Sequence, residues 1–360
     1  MVTTDPFPGK AAWRQMRHRR SLMNSVILPV MNPQAAGEQQ NALNIEAIRE
    51  ARRRIGPYVK RTPLERSDAL SKYLGAEVFV KYELLQRTGS FKARGAFNKM
   101  LSLSPDDRGR GIVAVSGGNH AQAVAYAASV LGKKAVIVMP QSTPQVYVDA
   151  TRGYGADVDL QPSIADAFAK VENYRSDGMI FIHPFDDPVV MAGQGTLGLD
   201  IIEDLPETTD VLVSIGGGGL ASGVAIAIKS ANPDIRVWGV ETEGADAMAQ
   251  ALAAGRPVEL PAITSIAKTL GAPSVSETTL SYAQRYLESV TVVPDSEAVE
   301  AMVFILERLK VMTEPAASCT LAAADRLKEN FGSDAKVVLI FCGGNTGVRD
   351  LCRYVEDFQK

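Results

Sequence analysis

The stretch 211–220, Val-Leu-Val-Ser-Ile-Gly-Gly-Gly-Gly-Leu, joins an apolar run to four glycines and then to an alanine-rich pattern over 220–230. An apolar run followed directly by a helical pattern is typical of a strand–loop–helix unit in a parallel sheet. The four glycines expose successive backbone N–H groups, and a helix N-terminus adds a dipole that favours an anion. We therefore interpret 216–220 as an anion cradle, with a tight strand-to-helix turn as the alternative.

The same alternation extends along the chain from residue 44. Short β-branched runs alternate with helical patterns such as 121–131, which predicts an α/β fold with mostly parallel sheets. Turn residues are frequent at 185–188 and 193–196, so we expect the chain to pass there from one lobe to another. The predicted strands are 78–80, 112–115, 135–139, 157–160, 179–183, 211–215, 237–240, 290–293 and 337–341.

Composition excludes several classes of protein. The 360 residues contain 38 basic and 41 acidic side chains, a net charge of −3, which does not indicate binding to nucleic acid or to an anionic membrane. Three cysteines without CxxC spacing indicate neither a disulfide framework nor a zinc site, and favour a reducing cytoplasm. Residues 1–40 are basic and interrupted by prolines; we interpret them as a flexible leader, with a targeting peptide or an upstream start codon as alternatives.

One lysine stands out in the octapeptide 89–96, Gly-Ser-Phe-Lys-Ala-Arg-Gly-Ala, at the expected entrance of a helix. A lysine that attacks an aldehyde must first lose its proton, and a partly desolvated pocket lowers its pKa toward that state. Such a lysine can hold pyridoxal phosphate as a Schiff base. Alone, the octapeptide is equally compatible with an ordinary solvated turn before a helix, so Lys92 needs supporting context.

Two further loops follow predicted strands. The segment 116–122, Ser-Gly-Gly-Asn-His-Ala-Gln, offers hydrogen bonds at a helix N-terminus where a carboxylate could bind, although helix capping is the commoner use of such residues. His120 is interpreted as structural or positioning. The segment 341–347, Phe-Cys-Gly-Gly-Asn-Thr-Gly, places Cys342 at a strand end, either as a core filler or as a weak hydrogen-bond partner of a ligand.

Together these segments resemble the serine/threonine dehydratase branch of the fold-type II (tryptophan synthase β-like) pyridoxal phosphate enzymes. The resemblance extends over 45–354 and includes, in order, 61–64, 81–86, the Lys92 segment, the Asn119 segment, 183–188, 193–196, the glycine run, 314–316 and 342–345. It implies two lobes, each an open, mostly parallel sheet flanked by helices, with the cofactor in the cleft. The implied large domain is 41–108 with 187–360, and the implied small, mobile domain is 109–186.

The resemblance also implies a role for each matching residue. Lys92 would bind the cofactor covalently and later take the Cα proton of the substrate, while Cys342 would lie beside the pyridine nitrogen. The cofactor-binding set is Phe91 against the ring, Lys92, Asn119 at the 3′-oxygen, Gly216, Gly217, Gly218, Gly219 and Leu220 at the phosphate, Glu314 and Cys342. The substrate-binding set is Ser116, Gly117, Asn119 and His120.

The implied reaction is β-elimination from a β-hydroxy amino acid such as L-threonine or L-serine, giving a 2-oxoacid and ammonia. A neutral thiol cannot keep the pyridine nitrogen protonated as a carboxylate would, which favours prompt loss of a β-leaving group. The implied assembly is a homodimer or homotetramer. The alternatives are a lyase for 3-hydroxyaspartate, phenylserine or a hydroxyectoine-derived amino acid, an amino-acid racemase, and a non-catalytic protein that binds pyridoxal phosphate.

Three positions depart from the family pattern. Relatives that racemise serine carry a second serine where this chain has Gly117, so we expect elimination well ahead of racemisation. At the divalent-cation site of some relatives, Glu241 and Ala245 match but Ala247 replaces an aspartate; we expect no metal site and no strong dependence on magnesium. Tyr147 stands where a lysine is common, so the entrance to the substrate pocket is open to question.

Overall fold

The computed structural model describes residues 43–358 apart from Arg108, together with the backbone of Leu28–Pro29. The interpretation of 1–40 as a leader therefore lies outside the described residues, except for these two. No helix in the described part combines the length and the apolar character needed to cross a membrane.

Eleven strands form two sheets within the described residues. In chain order β1 to β11 they are Leu28–Pro29, Leu64–Arg66, Glu77–Lys81, Ile112–Val115, Ala135–Pro140, Asp157–Gln161, Ile180–Phe181, Asp210–Ser214, Arg236–Thr242, Ser289–Val293 and Lys336–Ile340. The larger sheet has the order β1-β10-β9-β8-β11-β3-β2 and the smaller one β6-β5-β4-β7. All pairs are parallel except the two edge pairs β1–β10 and β2–β3.

Each of the nine predicted strands is present, with its ends shifted by two residues at most. The prediction missed β1 and β2, because runs of two and three residues are too short for a hydrophobic period to be seen. The four strands of the smaller sheet, 112–181, lie inside the predicted small domain 109–186. The boundaries of that domain and its mobility stay predictions.

Helices cover both faces of each sheet, as expected for parallel strands joined by crossovers. In chain order α1 to α13 they are Ile45–Ile55, Asp68–Leu74, Lys92–Leu101, Asn119–Val130, Gln145–Gly153, Ile164–Ser176, Pro188–Asp204, Gly219–Ala231, Ala247–Ala254, Glu277–Tyr286, Asp295–Leu309, Pro315–Leu327 and Val348–Phe358. The central strands β8 and β4 are buried along their whole length, so the main cores lie between these helices and the two sheets.

Helix α7 corrects one expectation. Residues 193–196 were expected to form a turn between lobes, but they lie inside this helix, which begins after the Asp187 side chain accepts hydrogen bonds from Val189 N and Val190 N. The glycines serve packing instead. A Cβ on Gly193 would lie 2.7 Å from Gly95 Cα in α3, and a Cβ on Gly195 would lie 2.8 Å from Gly223 O in α8. Helix α7 therefore packs backbone to backbone against both helices.

We predict that Gly223→Ala destabilises the protein by about 3 kcal/mol, because the added methyl group would overlap Met191 O and lie 2.6 Å from Gly195 N. The matched control is Gly153→Ala at the end of α5, where a Cβ has no neighbour within 4 Å; it should be neutral or stabilise by up to about 1 kcal/mol. Urea unfolding of both variants measures the difference. Equal stabilities would contradict the packing account.

Candidate active site

Topology brings three of the predicted segments to one edge of the larger sheet. Strands β8, β11 and β3 are parallel neighbours, so their carboxyl ends lie side by side. Beyond these ends come the glycine run after β8, Cys342 after β11, and the segment that leads from β3 to Lys92. Such edges are where open parallel sheets bind ligands.

Lys92 is the first residue of α3, and its side chain reaches into the pocket at this edge. Its Nζ donates a hydrogen bond to Pro184 O at 2.7 Å and lies 5.2 Å from the centroid of the Phe91 ring. Burial lowers the pKa of Lys92 to about 8, against the opposing effect of Cys342 and Glu314. The amine is therefore available in its neutral, nucleophilic form near physiological pH.

Buried ion pairs fix the helix that begins with Lys92. The guanidinium of Arg94, only 1% exposed, donates to both carboxylate oxygens of Glu83 at 2.8 and 2.9 Å, and to Asp200 on α7 at 2.8 Å. Burial opposes the charge of Arg94, but these carboxylates outweigh it and raise its pKa. A bidentate pair of this kind holds one orientation, so α3 is tied to β3 and α7 at once.

The glycine run forms the wall opposite Lys92. Gly218 has φ +92°, a left-handed conformation that favours glycine, and it is the N-cap of α8 without any side-chain cap. A Cβ on Gly217 would overlap the ring of Phe185, so the backbone lies directly against this aromatic side chain. An uncapped helix N-terminus with bare backbone N–H groups is suited to a phosphate.

The third wall consists of buried groups that are mostly uncharged. Ser214 Oγ donates to Cys342 Sγ at 3.4 Å, and Glu314 Oε1 accepts from Asn119 Nδ2 at 2.8 Å and from Thr269 Oγ1 at 3.2 Å. Burial raises the pKa of Glu314 to about 7 and also raises the pKa of Cys342. Neither group offers a firm negative charge at neutral pH.

A chain of hydrogen bonds links this wall to the smaller sheet's helices. Tyr147 in α5 donates its hydroxyl to Asn345 O at 2.6 Å, and Asn345 Nδ2 donates to Asn119 Oδ1 and to Thr88 O, both at 2.8 Å. Tyr147, which replaces a lysine common in relatives, thus bridges the two sheets' loops. Asn345 belongs to a motif seen in the sequence, but no role was assigned to it there.

The pocket brings together most of the predicted residues. It is lined by Phe91, Lys92, Asn119, Gly216, Gly217, Gly218, Gly219, Leu220, Glu314 and Cys342, and by residues not assigned from the sequence, namely Pro184, Phe185, Gln194, Ser214, Thr269, Leu270 and Ala316. Of these, Ser214 could have been inferred from its place at the end of a strand. Thr269 and Gln194 follow no motif that sets them apart.

The predicted substrate loop lies beside this pocket rather than in its lining. Ser116 Oγ accepts a hydrogen bond from Gly118 N at 3.1 Å. The His120 ring, 3% exposed, has Nε2 2.9 Å from Ile182 O, and burial lowers its pKa to about 3. The side chain of His120 is therefore a neutral, buried group that supports the loop, in line with its interpretation as a positioning residue.

Glu241, considered for a cation site, lies at another helix N-terminus. Its carboxylate accepts from Met248 N at 2.9 Å and from Ala249 N at 2.8 Å, which caps α9. Burial raises the pKa of Glu241 to about 8. Among the described side chains, no group of three His, Cys, Asp or Glu residues is placed to hold a metal ion.

These features define the class of protein. A buried amine with a lowered pKa faces an anion cradle across an aromatic-lined pocket, at the carboxyl edge of a parallel sheet. The cradle fits a phosphate, the amine fits an aldehyde, and the rings of Phe91 and Phe185 fit a planar ring between them. The site thus suits a phosphorylated aromatic aldehyde.

Comparison with known proteins agrees. The family model "pyridoxal-phosphate dependent enzyme" matches residues 55–343. The L-threonine ammonia-lyase of Thermotoga maritima is 41% identical over 87% of this chain and 78% of that protein. The catabolic L-threonine dehydratase of Escherichia coli is 40% identical over 84% and 92%. Among solved structures, maize serine racemase has a TM-score of 0.83 and 37% identity over 88% of this chain and 98% of that one; the threonine deaminase of T.th. has 0.79 and 38%, over 84% and 99%.

The chain belongs to the pyridoxal-phosphate dependent enzyme family. Its cofactor is pyridoxal 5′-phosphate, and the predicted fold class, a fold-type II pyridoxal phosphate enzyme, is confirmed.

The pKa of Lys92 predicts how the cofactor-free protein takes up pyridoxal phosphate. Below a pKa of about 8 the neutral amine increases about tenfold per pH unit, so the rate of uptake should rise steeply to pH 8 and then level off. The visible absorbance of the bound cofactor follows this rate. A profile that is flat, or that keeps rising to pH 10 as for an exposed lysine, would contradict the lowered pKa.

The bridge from Tyr147 predicts a weaker hold on the cofactor when it is removed. Tyr147→Phe deletes the hydrogen bond to Asn345 O, worth about 1 kcal/mol, so the Kd for pyridoxal phosphate should rise about fivefold. Fluorescence titration of the cofactor-free protein measures this Kd. Tyr126→Phe, which removes a hydroxyl from α4, serves as the control. Equal affinities of the two variants would show that the bridge does not support Asn119.

Proposed function

We propose that this protein is an ammonia-lyase that removes water and ammonia from a β-hydroxy amino acid such as L-threonine or L-serine, leaving a 2-oxoacid. The buried, largely deprotonated amine of Lys92 beside neutral rather than anionic partners is the observation that carries this proposal. Identities of about 40% to L-threonine ammonia-lyases and dehydratases over most of the chain support the reaction and its substrate class.

In this proposal the cofactor is held on three sides. The backbone N–H groups of 216–220 bind its phosphate, Phe91 packs against its ring, and Lys92 binds its aldehyde carbon. Asn119 donates to the 3′-oxygen, and its amide is already oriented by Glu314 and Asn345. Once bound, pyridoxal phosphate withdraws electrons from the Cα of an attached amino acid and so acidifies its Cα–H bond.

Lys92 then acts as the base. When the substrate's amine displaces it, its Nζ becomes a neutral amine in a dry pocket and can accept the Cα proton. The lowered pKa keeps that amine unprotonated near neutral pH, which a solvated lysine with its ordinary pKa would not be. Pro184 O, 2.7 Å from Nζ, orients the amine in the resting protein.

The neutral wall favours elimination over other outcomes. Cys342 is a thiol whose pKa burial raises, so it offers the pyridine nitrogen a weak donor and no negative charge. Negative charge at Cα is then poorly delocalised, and prompt departure of a β-hydroxyl relieves it. The substrate's carboxylate is assigned to the loop of Ser116, Gly117, Asn119 and His120, through the N-terminus of α4.

A cytoplasmic location and a homodimeric or homotetrameric assembly complete the proposal. The first is supported by the small number of cysteines without disulfide spacing, and the second by the family resemblance. Racemisation is the second candidate reaction, because serine racemases from rice and maize are 39% and 37% identical to the chain.

The test is a panel of L- and D-β-hydroxy amino acids, assayed for ammonia, 2-oxoacid and inversion at Cα. We expect release of ammonia and 2-oxoacid from L-threonine or L-serine, slow inversion, and a loss of at least about 1000-fold in Lys92→Ala. Lys134→Ala, at an exposed lysine, should keep the rate. Inversion as fast as elimination would favour the racemase, and full activity of Lys92→Ala would overturn the mechanism.

A further inference from the structure

Gly117 lies against a hydroxyl from a neighbouring loop. A Cβ placed on Gly117 would be 2.5 Å from Thr143 Oγ1, 3.3 Å from Thr143 Cγ2 and 3.4 Å from Thr143 Cβ. The Thr143 side chain therefore fills the space that a side chain at position 117 would need. The sheet order explains the proximity, because β4 and β5 are parallel neighbours and the two residues follow their carboxyl ends.

The hydroxyl of Thr143 is buried, and within the described residues it has no hydrogen-bond partner. Leaving a buried hydroxyl unpaired costs about 1–3 kcal/mol, so proteins rarely keep one without a use. The backbone around it is well fixed: Thr143 N donates to Pro140 O at 2.9 Å, and Pro144 with φ −55° starts α5. The hydroxyl is thus held in place while its proton remains available to donate.

The loop that it faces is short of positive charge. The N-cap of α4 is Gly118, which provides no side-chain cap, and His120 is neutral because burial lowers its pKa to about 3. A carboxylate at this N-terminus would rely on backbone N–H groups and hydroxyls. Each added neutral donor therefore has a measurable effect on affinity, since a hydrogen bond to a charged group contributes about 1.5–3 kcal/mol.

We propose that Thr143 donates its hydroxyl proton to the carboxylate of the bound amino acid and so supplies, beside Gly117, the polar group that the glycine lacks. This inference rests on the proposed function, which places the amino acid's carboxylate at this loop. Thr143 is then a substrate-binding residue contributed by the loop after β5, which the sequence motifs did not single out.

The first test compares Thr143→Val with Thr143→Ser and with Ser142→Ala, an exposed neighbour. Thr143→Val keeps the shape but not the hydroxyl, so in the cofactor-loaded enzyme KM and the Kd for L-serine should rise at least about tenfold, with kcat little changed. Titration of the bound cofactor's absorbance gives Kd, and oxoacid release gives KM and kcat. Thr143→Ser should retain most of the affinity, and Ser142→Ala should match the parent protein.

Thermal unfolding separates this role from a structural one. Because the hydroxyl is unpaired without ligand, its removal in Thr143→Val should leave Tm unchanged or raise it by about 1–3 °C. A hydroxyl that supports the fold would lower Tm on removal. Loss of affinity together with unchanged or higher Tm is the expected signature.

A double variant moves the hydroxyl to the other loop. Gly117→Ser alone should bind L-serine weakly, because its Cβ would crowd Thr143 Oγ1. Adding Thr143→Ala removes the crowding and leaves the new serine hydroxyl in place, so affinity should recover at least about fivefold over Gly117→Ser. Purely additive losses would overturn the exchange of hydroxyls between the two positions.

The outcomes are distinct from those for the proposed function. If the parent protein binds L-serine and releases oxoacid while Thr143→Val keeps its KM and Kd within twofold, the inference is wrong and the proposed function stands. A fall in kcat at unchanged Kd would assign Thr143 to proton transfer and would also overturn it. If the parent protein neither binds nor converts any β-hydroxy amino acid, both are wrong.

Discussion

The site depends on one packing constraint, the backbone-to-backbone contact of helix α7 with α3 and α8. Gly193 and Gly195 let α7 approach Gly95 and Gly223 closely, and side chains of ordinary size would push these helices apart. Lys92 stands at the N-terminus of α3 and the phosphate cradle at the N-terminus of α8. The spacing between amine and cradle is therefore set by glycines far from the chemistry.

Burial then sets the charge of the pocket. The same desolvation lowers the pKa of Lys92 and His120 and raises the pKa of Glu314 and Cys342, so each group moves toward its uncharged form. With side-chain charges weakened, the dipole of α8 and the bare N–H groups of 216–220 provide the attraction for a phosphate. The lysine remains a usable base because little charge near it must be overcome.

Local sequence signals predicted what lies on a single element. Strand runs, the glycine loop, Lys92 and Cys342 were all predicted, because hydrophobic period, glycine and strand-end position are written within a few residues. Contacts between distant segments were not. Gly193 and Gly195 resemble turn residues in the sequence because their partners Gly95 and Gly223 lie on other helices, and the links Tyr147–Asn345 and Thr143–Gly117 exist only after the strands take their order in the sheets.

The central claim is that Lys92 is the residue that holds pyridoxal phosphate. Borohydride reduction joins the cofactor permanently to that residue, and peptide mapping by mass spectrometry then locates the pyridoxyl group. We predict one label per chain, on the peptide that contains Lys92, and none on that peptide after Lys92→Ala. A label on another lysine, or no label in protein saturated with the cofactor, would contradict the assignment of the site.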